Sequence, residues 1–188
     1  MRPLTKVLAA GVPMVFLNYG NLHASQTDDA SVLNVVARAM CSTRESGYVV
    51  LDSRAAYASP TLEGKFKQIG LDHEFAVLLL DQNRGAGIPA GGAYQCLRIT
   101  DGKKVQDAFG AKGDGTKEGQ RWSAFQTAFP GAIGYAALSL PAFSVSGESA
   151  AVYVLYSCGV TCGKGRVYLV HRTDRGWALT KELSLWDF

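Results

Sequence analysis

Almost no excess charge of either sign marks this sequence of 188 residues: 19 lysines and arginines stand against 16 aspartates and glutamates. Two of the cations, Arg2 and Lys6, belong to an N-terminal segment that reads as an export signal, and without them the balance is 17 to 16. So neutral a chain lacks the positive field that phosphate contacts need, which excludes nucleic acid as an expected partner. Lys103, Lys104, Lys112 and Lys117 fall in one region, but Asp101, Asp107, Asp114 and Glu118 are interleaved with them, the pattern of a solvated face. A membrane-spanning run is missing too, since the apolar stretch from Val7 to Leu17 is shorter than the ~20 residues a bilayer needs. There is no run of repeats and no long low-complexity linker.

Catalytic and ligand-holding patterns are equally scarce. No Gly-x-Ser-x-Gly elbow occurs. Cys162-Gly-Lys-Gly165 lacks the first glycine of a phosphate loop, the Ser/Thr after its lysine and a following helix. Asp72-His73-Glu74 is the one cluster with a catalytic look, yet consecutive helical residues point in different directions and cannot form one constellation. His73 is expected to be an exposed helix-start residue, and His171 a structural or solvent-facing strand residue. Gly113-Asp-Gly115 with Asp107 and Glu118 lacks the alternating ligands and terminal glutamate of a calcium loop. The expectation is therefore no catalytic residue, no metal and no cofactor.

What is present begins at the N-terminus. Positive Arg2 and Lys6, the apolar core from Val7 to Leu17 and the small residue of Leu22-His23-Ala24 follow the order of a secretory signal. The expected signal covers residues 1–24, and 25–188 form a single domain, enough to bury most of its apolar surface. The first cysteine is Cys41, too far along for a lipid anchor. A soluble, periplasmic or secreted monomer without a membrane anchor follows.

Such a compartment gives the four cysteines, Cys41, Cys96, Cys158 and Cys162, a disulfide role. Three pairings exist. Cys158 with Cys162 is preferred, because it closes a small turn without moving anything distant. That leaves Cys41 with Cys96, a long closure that constrains the unfolded chain by about 4 kcal/mol. A redox pair is expected at a helix N-terminus, not in a hairpin, and a zinc site needs two more close ligands.

Hydrophobic periodicity outlines the rest. Val32, Val35, Val36, Ala39 and Met40 keep helical spacing after Asp28-Asp29. Tyr48 to Leu51 reads as a strand, Leu71 to Asn83 as a helix started by Asp72, and Ala93 to Ile99 as a strand. Asp101 starts a short helix ending at Phe109-Gly110. Lys112 to Gly119 is a polar loop, and Gln120 to Phe129 a helix stopped by Pro130-Gly131. From Gly134 onward the pattern is strand and turn: Tyr135 to Leu140, Ala150 to Ser157, Gly165 to Arg172 and Trp177 to Trp186. The expected fold is α+β, a four-stranded antiparallel C-terminal meander with helices on one face. Trp122, Phe125, Phe129, Tyr135, Tyr153, Trp177 and Trp186 are expected in its core, with a carbohydrate platform on Trp177 or Tyr168 as the weaker reading.

One series of residues has a familiar order: Trp122-Ser-Ala-Phe125, Phe129-Pro-Gly-Ala-Ile-Gly-Tyr135, Leu138-Ser139, Phe143, Ala151-Val-Tyr153, Cys158-Gly, Cys162-Gly-Lys-Gly165, Gly176-Trp177 and Trp186. It resembles a family of small exported bacterial proteins without an assigned activity. The resemblance covers the last third of the chain and implies secretion and this fold, with no catalytic or binding residues to carry over. The expected function is a non-enzymatic envelope domain that binds a small ligand or a partner protein. The alternatives are an envelope-directed hydrolase with His73 or His171 as base, and an inhibitor of a foreign hydrolase that presents the Cys158–Cys162 turn.

Overall fold

The computed structural model describes residues 26–42, 47–56, 58–81, 86–90, 94, 96–110 and 117–188. The expected signal at 1–24 and the Gly113-Asp-Gly115 segment lie outside the described residues. Helical spacing after the paired aspartates becomes α1 (Gln26–Cys41). Its buried stripe is Val32, Leu33, Val36, Ala37 and Met40, while Val35 and Ala39 are only partly covered.

Strand β1 (Tyr48–Asp52) follows, then a 3-10 turn (Pro60–Leu62), α2 (Glu63–Gln68) and α3 (His73–Asp81). Next come β2 (Leu97–Thr100), α4 (Gly102–Phe109) and α5 (Glu118–Ala128). The C-terminal part is β3 (Ala132–Leu138), β4 (Ala142–Phe143), β5 (Ser149–Gly159), β6 (Cys162–Thr173) and β7 (Gly176–Asp187). α2 and the two-residue β4 have no counterpart in the sequence expectation. Of the strand expected from Ala93 to Ile99, residues 93 and 95 lie outside the described residues and the strand observed is Leu97–Thr100, while the helix expected from Gln120 begins already at Glu118.

All seven strands share one sheet, ordered β2-β1-β3-β5-β6-β7, with β4 pairing to β5 alongside. The α+β class holds, and β3, β5, β6 and β7 pair antiparallel in sequence order. Two parts of the expectation are corrected. The sheet is mixed, because β1 runs parallel to both β2 and β3. Parallel neighbours cannot be joined by a hairpin and need a crossover; α2–α3 provide one between β1 and β2, and α4–α5 provide the next between β2 and β3.

Helices also cover both faces, not one. Val49, Val50 and Leu51 are each fully buried, which a strand achieves only with cover on both sides. On one face α1 closes over Val49, Leu51, Leu138, Val152 and Val170. On the other, α2 and α3 bring Phe66 and Leu79 onto Tyr153, Val167 and Leu183. A separate cluster there joins Val50 to Val105 and Phe125 of α4 and α5. The second face is thus covered in two pieces.

Candidate functional site

Asp101 ends the preceding strand connection by capping α4, its carboxylate accepting from the Lys103 and Lys104 backbone N–H groups at 2.8 and 3.2 Å. Gly110, at φ +76°, ends the helix in a conformation that glycine adopts without a steric penalty. Phe109, the last residue of α4, is thereby held over α5. Its ring stacks on the buried Phe125 at 4.7 Å and 14°. It stands nearly perpendicular to Trp122, at 5.2 Å and 84°, and to Tyr135, at 5.8 Å and 79°.

These rings wall a pocket of about 260 Å³ on the two-piece face. Leu155 and Ser157 of β5 form its floor, and Glu118 and Arg121 of α5 stand at its rim. Perpendicular rings at this spacing suit the aromatic quadrupole, so the wall is held by its own contacts as well as by the core.

Behind the pocket lies a polar anchor. Tyr135 donates its hydroxyl to Asp52 Oδ2 at 3.3 Å, and Asp52 is buried at 3% exposure. Arg54 satisfies both oxygens of that carboxylate, Nη2 to Oδ2 at 2.9 Å and Nε to Oδ1 at 3.1 Å, with its backbone N–H on Oδ1 at 2.8 Å. A buried charge needs such pairing to persist. The guanidinium also donates to the Gly102 carbonyl at 3.1 Å. A Cβ at Gly102 would run into the Arg54 side chain and Asp52 Oδ1, so this position requires glycine. Burial, and then the negative charge of Asp52, push the Tyr135 hydroxyl far above the usual phenol range, and it stays protonated.

The cysteine turn borders the same pocket. Ser157 of the floor donates Oγ to the Cys162 carbonyl at 3.3 Å. Cys158 and Cys162 are bridged, with Cα atoms 5.1 Å apart, and Val160 between them is 53% exposed. Cys41 and Cys96 form the other bridge at 5.7 Å, Cys96 standing just before β2. Strand register sets Gly163 opposite Ser157 and Gly165 opposite Leu155. A Cβ on Gly165 would collide with the indole of Trp186, so glycine lets that ring lie down on β6.

Other sequence candidates sit elsewhere. His73 is exposed at the first position of α3, and His171 is exposed on β6, its Nδ1 3.1 Å from Ser149 Oγ across the ladder. Neither lines the pocket. Lys103 reaches forward one turn to Asp107 at 2.7 Å, as expected of a solvated helix face. Among the described residues no group of three or more His, Cys, Asp or Glu is placed to hold a metal ion. Nor, among them, is any helix long and apolar enough to cross a membrane. Tyr168 is 2% exposed and offers no platform, while Trp177 packs against Phe143 at 5.7 Å and under Arg172 at 5.0 Å.

The aromatic expectation needs division. Phe125 and Tyr153 are core, but Trp122, Phe129, Tyr135, Trp177 and Trp186 are only partly covered. Trp122 and Tyr135 line the pocket, a role helical spacing alone does not reveal. Compared with family models, curated proteins and solved structures, the chain matches none of them.

Proposed function

We propose that the chain is an exported, non-catalytic binding domain of the periplasm or the extracellular medium. Its ligand, a small molecule or a group presented by a partner protein, occupies the pocket between α5 and the sheet. The observation that carries this reading is the pocket itself: concave, walled by Phe109, Trp122 and Tyr135, and edged by a few polar groups. Export is supported by the N-terminal charge-apolar-small pattern, by the two disulfides, which persist in oxidising compartments, and by the resemblance to small exported proteins. The hydrolase reading has less to rest on, because both candidate histidines are exposed and outside the pocket.

A second reading, inhibition of a foreign hydrolase, is favoured by the exposed Val160 at the tip of a disulfide-held turn. A rigid loop loses little entropy on docking. One experiment separates the two. The oxidised protein and its Trp122→Ala and Val160→Glu variants are each used for capture from envelope extract, followed by mass spectrometry. Capture lost with Trp122→Ala and kept with Val160→Glu is expected; the reverse pattern transfers the function to the turn.

A further inference from the structure

We propose that this pocket is built for an organic cation, a trimethylammonium or similarly methylated ammonium group. The proposal rests on the binding reading above and names the ligand class. Three rings meet there, with Phe109 almost perpendicular to both Trp122 and Tyr135. Because Phe109 also stacks on Phe125, the rings pack on one another and form one continuous aromatic wall beside the cavity. Aromatic faces carry negative quadrupole charge, which attracts quaternary ammonium groups.

Two carboxylates reinforce that field. Glu118 stands at the rim, where a bound cation finds a counter-charge. Asp52 accepts the Tyr135 hydroxyl from behind, which pushes electron density toward the ring. Arg54 neutralises Asp52 from its far side, and Arg121 shares the rim with Glu118, so the net field is moderate. A volume of about 260 Å³ leaves room for a trimethylammonium head and part of its chain.

Other ligand classes fit less well. An anion would lie against an aromatic wall and beside Glu118, with Arg121 as the one cation in the lining. A sugar needs a fan of hydrogen-bonding partners, and the lining supplies Ser157 beside two charged side chains. A methylated ammonium needs neither, since its charge is spread over methyl groups that accept apolar contact.

Titration calorimetry of the oxidised protein with choline and with 3,3-dimethyl-1-butanol, its neutral isostere, tests the proposal. Choline is expected to bind at least about tenfold tighter than the isostere. Glu118→Gln, an exposed substitution that spares the core, should weaken choline severalfold and leave the isostere unchanged. Equal or tighter binding of the isostere overturns the cation assignment while leaving the pocket reading intact. Binding of neither also overturns the cation assignment, and the pocket reading is then decided by the capture comparison of Trp122→Ala with Val160→Glu. A parallel arm with phosphatidylcholine and phosphatidylglycerol vesicles identifies the source of the group: retention on the former alone, released by free choline, points to a lipid headgroup, and binding of free choline alone points to a small metabolite. Vesicle retention that choline does not release, without calorimetric binding of choline, also overturns the assignment.

Discussion

The two faces of the sheet are made by the same strands and end up unlike. Alternate residues of β3 and β5 point to opposite sides, yet Ala136, Leu138, Val152 and Val154 on one side are all buried at 1% or less, while Tyr135, Leu155 and Ser157 on the other remain partly open. The difference lies in the cover. One helix of 16 residues, α1, closes the first face together with Ile88 and Tyr94 and is tied to the start of β2 by Cys41–Cys96. The second face is covered by two short helix pairs that belong to two separate crossovers. The pocket lies beside one of these covers, where α4 and α5 meet β3 and β5, and no residue of α2 or α3 lines it. The pocket is a consequence of how the α4–α5 crossover docks on the sheet, with the aromatic residues as its furnishing.

The contrast can be broken most strongly at α5. Phe125 is fully buried, and Phe125→Ala should cost about 3–5 kcal/mol. Trp122, one turn earlier and partly exposed, should cost only about 1–2 kcal/mol as Trp122→Ala, from lost ring contacts and partial burial. Urea denaturation of both variants checks this. Equal costs would mean that Trp122 belongs to a closed core and that the second face is not open beside α5.

The bridges sharpen the same comparison. Replacing Cys41 and Cys96 by alanine opens a 55-residue separation and should cost about 4 kcal/mol; replacing Cys158 and Cys162 opens a separation of 4 and should cost about 2 kcal/mol. Denaturation midpoints of the two double variants, with slopes compared, give the ranking. A larger loss at the hairpin would shift the main covalent support from the α1 face to the rim of the pocket.

The smallest effect concerns the edge of the closed face. Burial first, and the neighbouring Asp28 second, raise the Asp29 carboxyl from 3.8 to about 6. The folded state therefore holds this proton more tightly than the unfolded chain. Its contribution to stability declines as pH rises from about 4 to about 6 and is level above that window. Asp29→Asn should remove that slope and raise stability at neutral pH, measured by denaturation across this range. An unchanged slope would place Asp29 in solvent, with the cover of α1 ending before it.

Much of the framework was readable beforehand, for local reasons. Asp101 announced α4 because an aspartate oxygen satisfies the orphan N–H groups of a helix start within three residues. The long strands from β5 to β7 announced themselves through β-branched and aromatic runs broken by glycine turns. Cys158 and Cys162 were preferred partners because their separation makes the encounter local. The parallel strands were not readable in that way: Tyr48 to Leu51 is an apolar run whose partners, Leu97–Thr100 and Ala132–Leu138, are distant in sequence. The burial of Asp52 was not readable either: Arg54, two residues on, pairs with its carboxylate, but Tyr135, which also reaches it, is 83 residues away.

The sequence by itself determined the near-neutral charge, the helix starts, the antiparallel order of the C-terminal strands and the candidate disulfide cysteines, all of which depend on composition or on contacts between near neighbours. Tertiary structure alone decided that the sheet is mixed, that helices cover both faces, and that Phe109, Trp122 and Tyr135 stand around one pocket. Those outcomes depend on crossovers and on which ring remains uncovered once α4 and α5 have docked on the sheet, and no local pattern encodes the space left beside them.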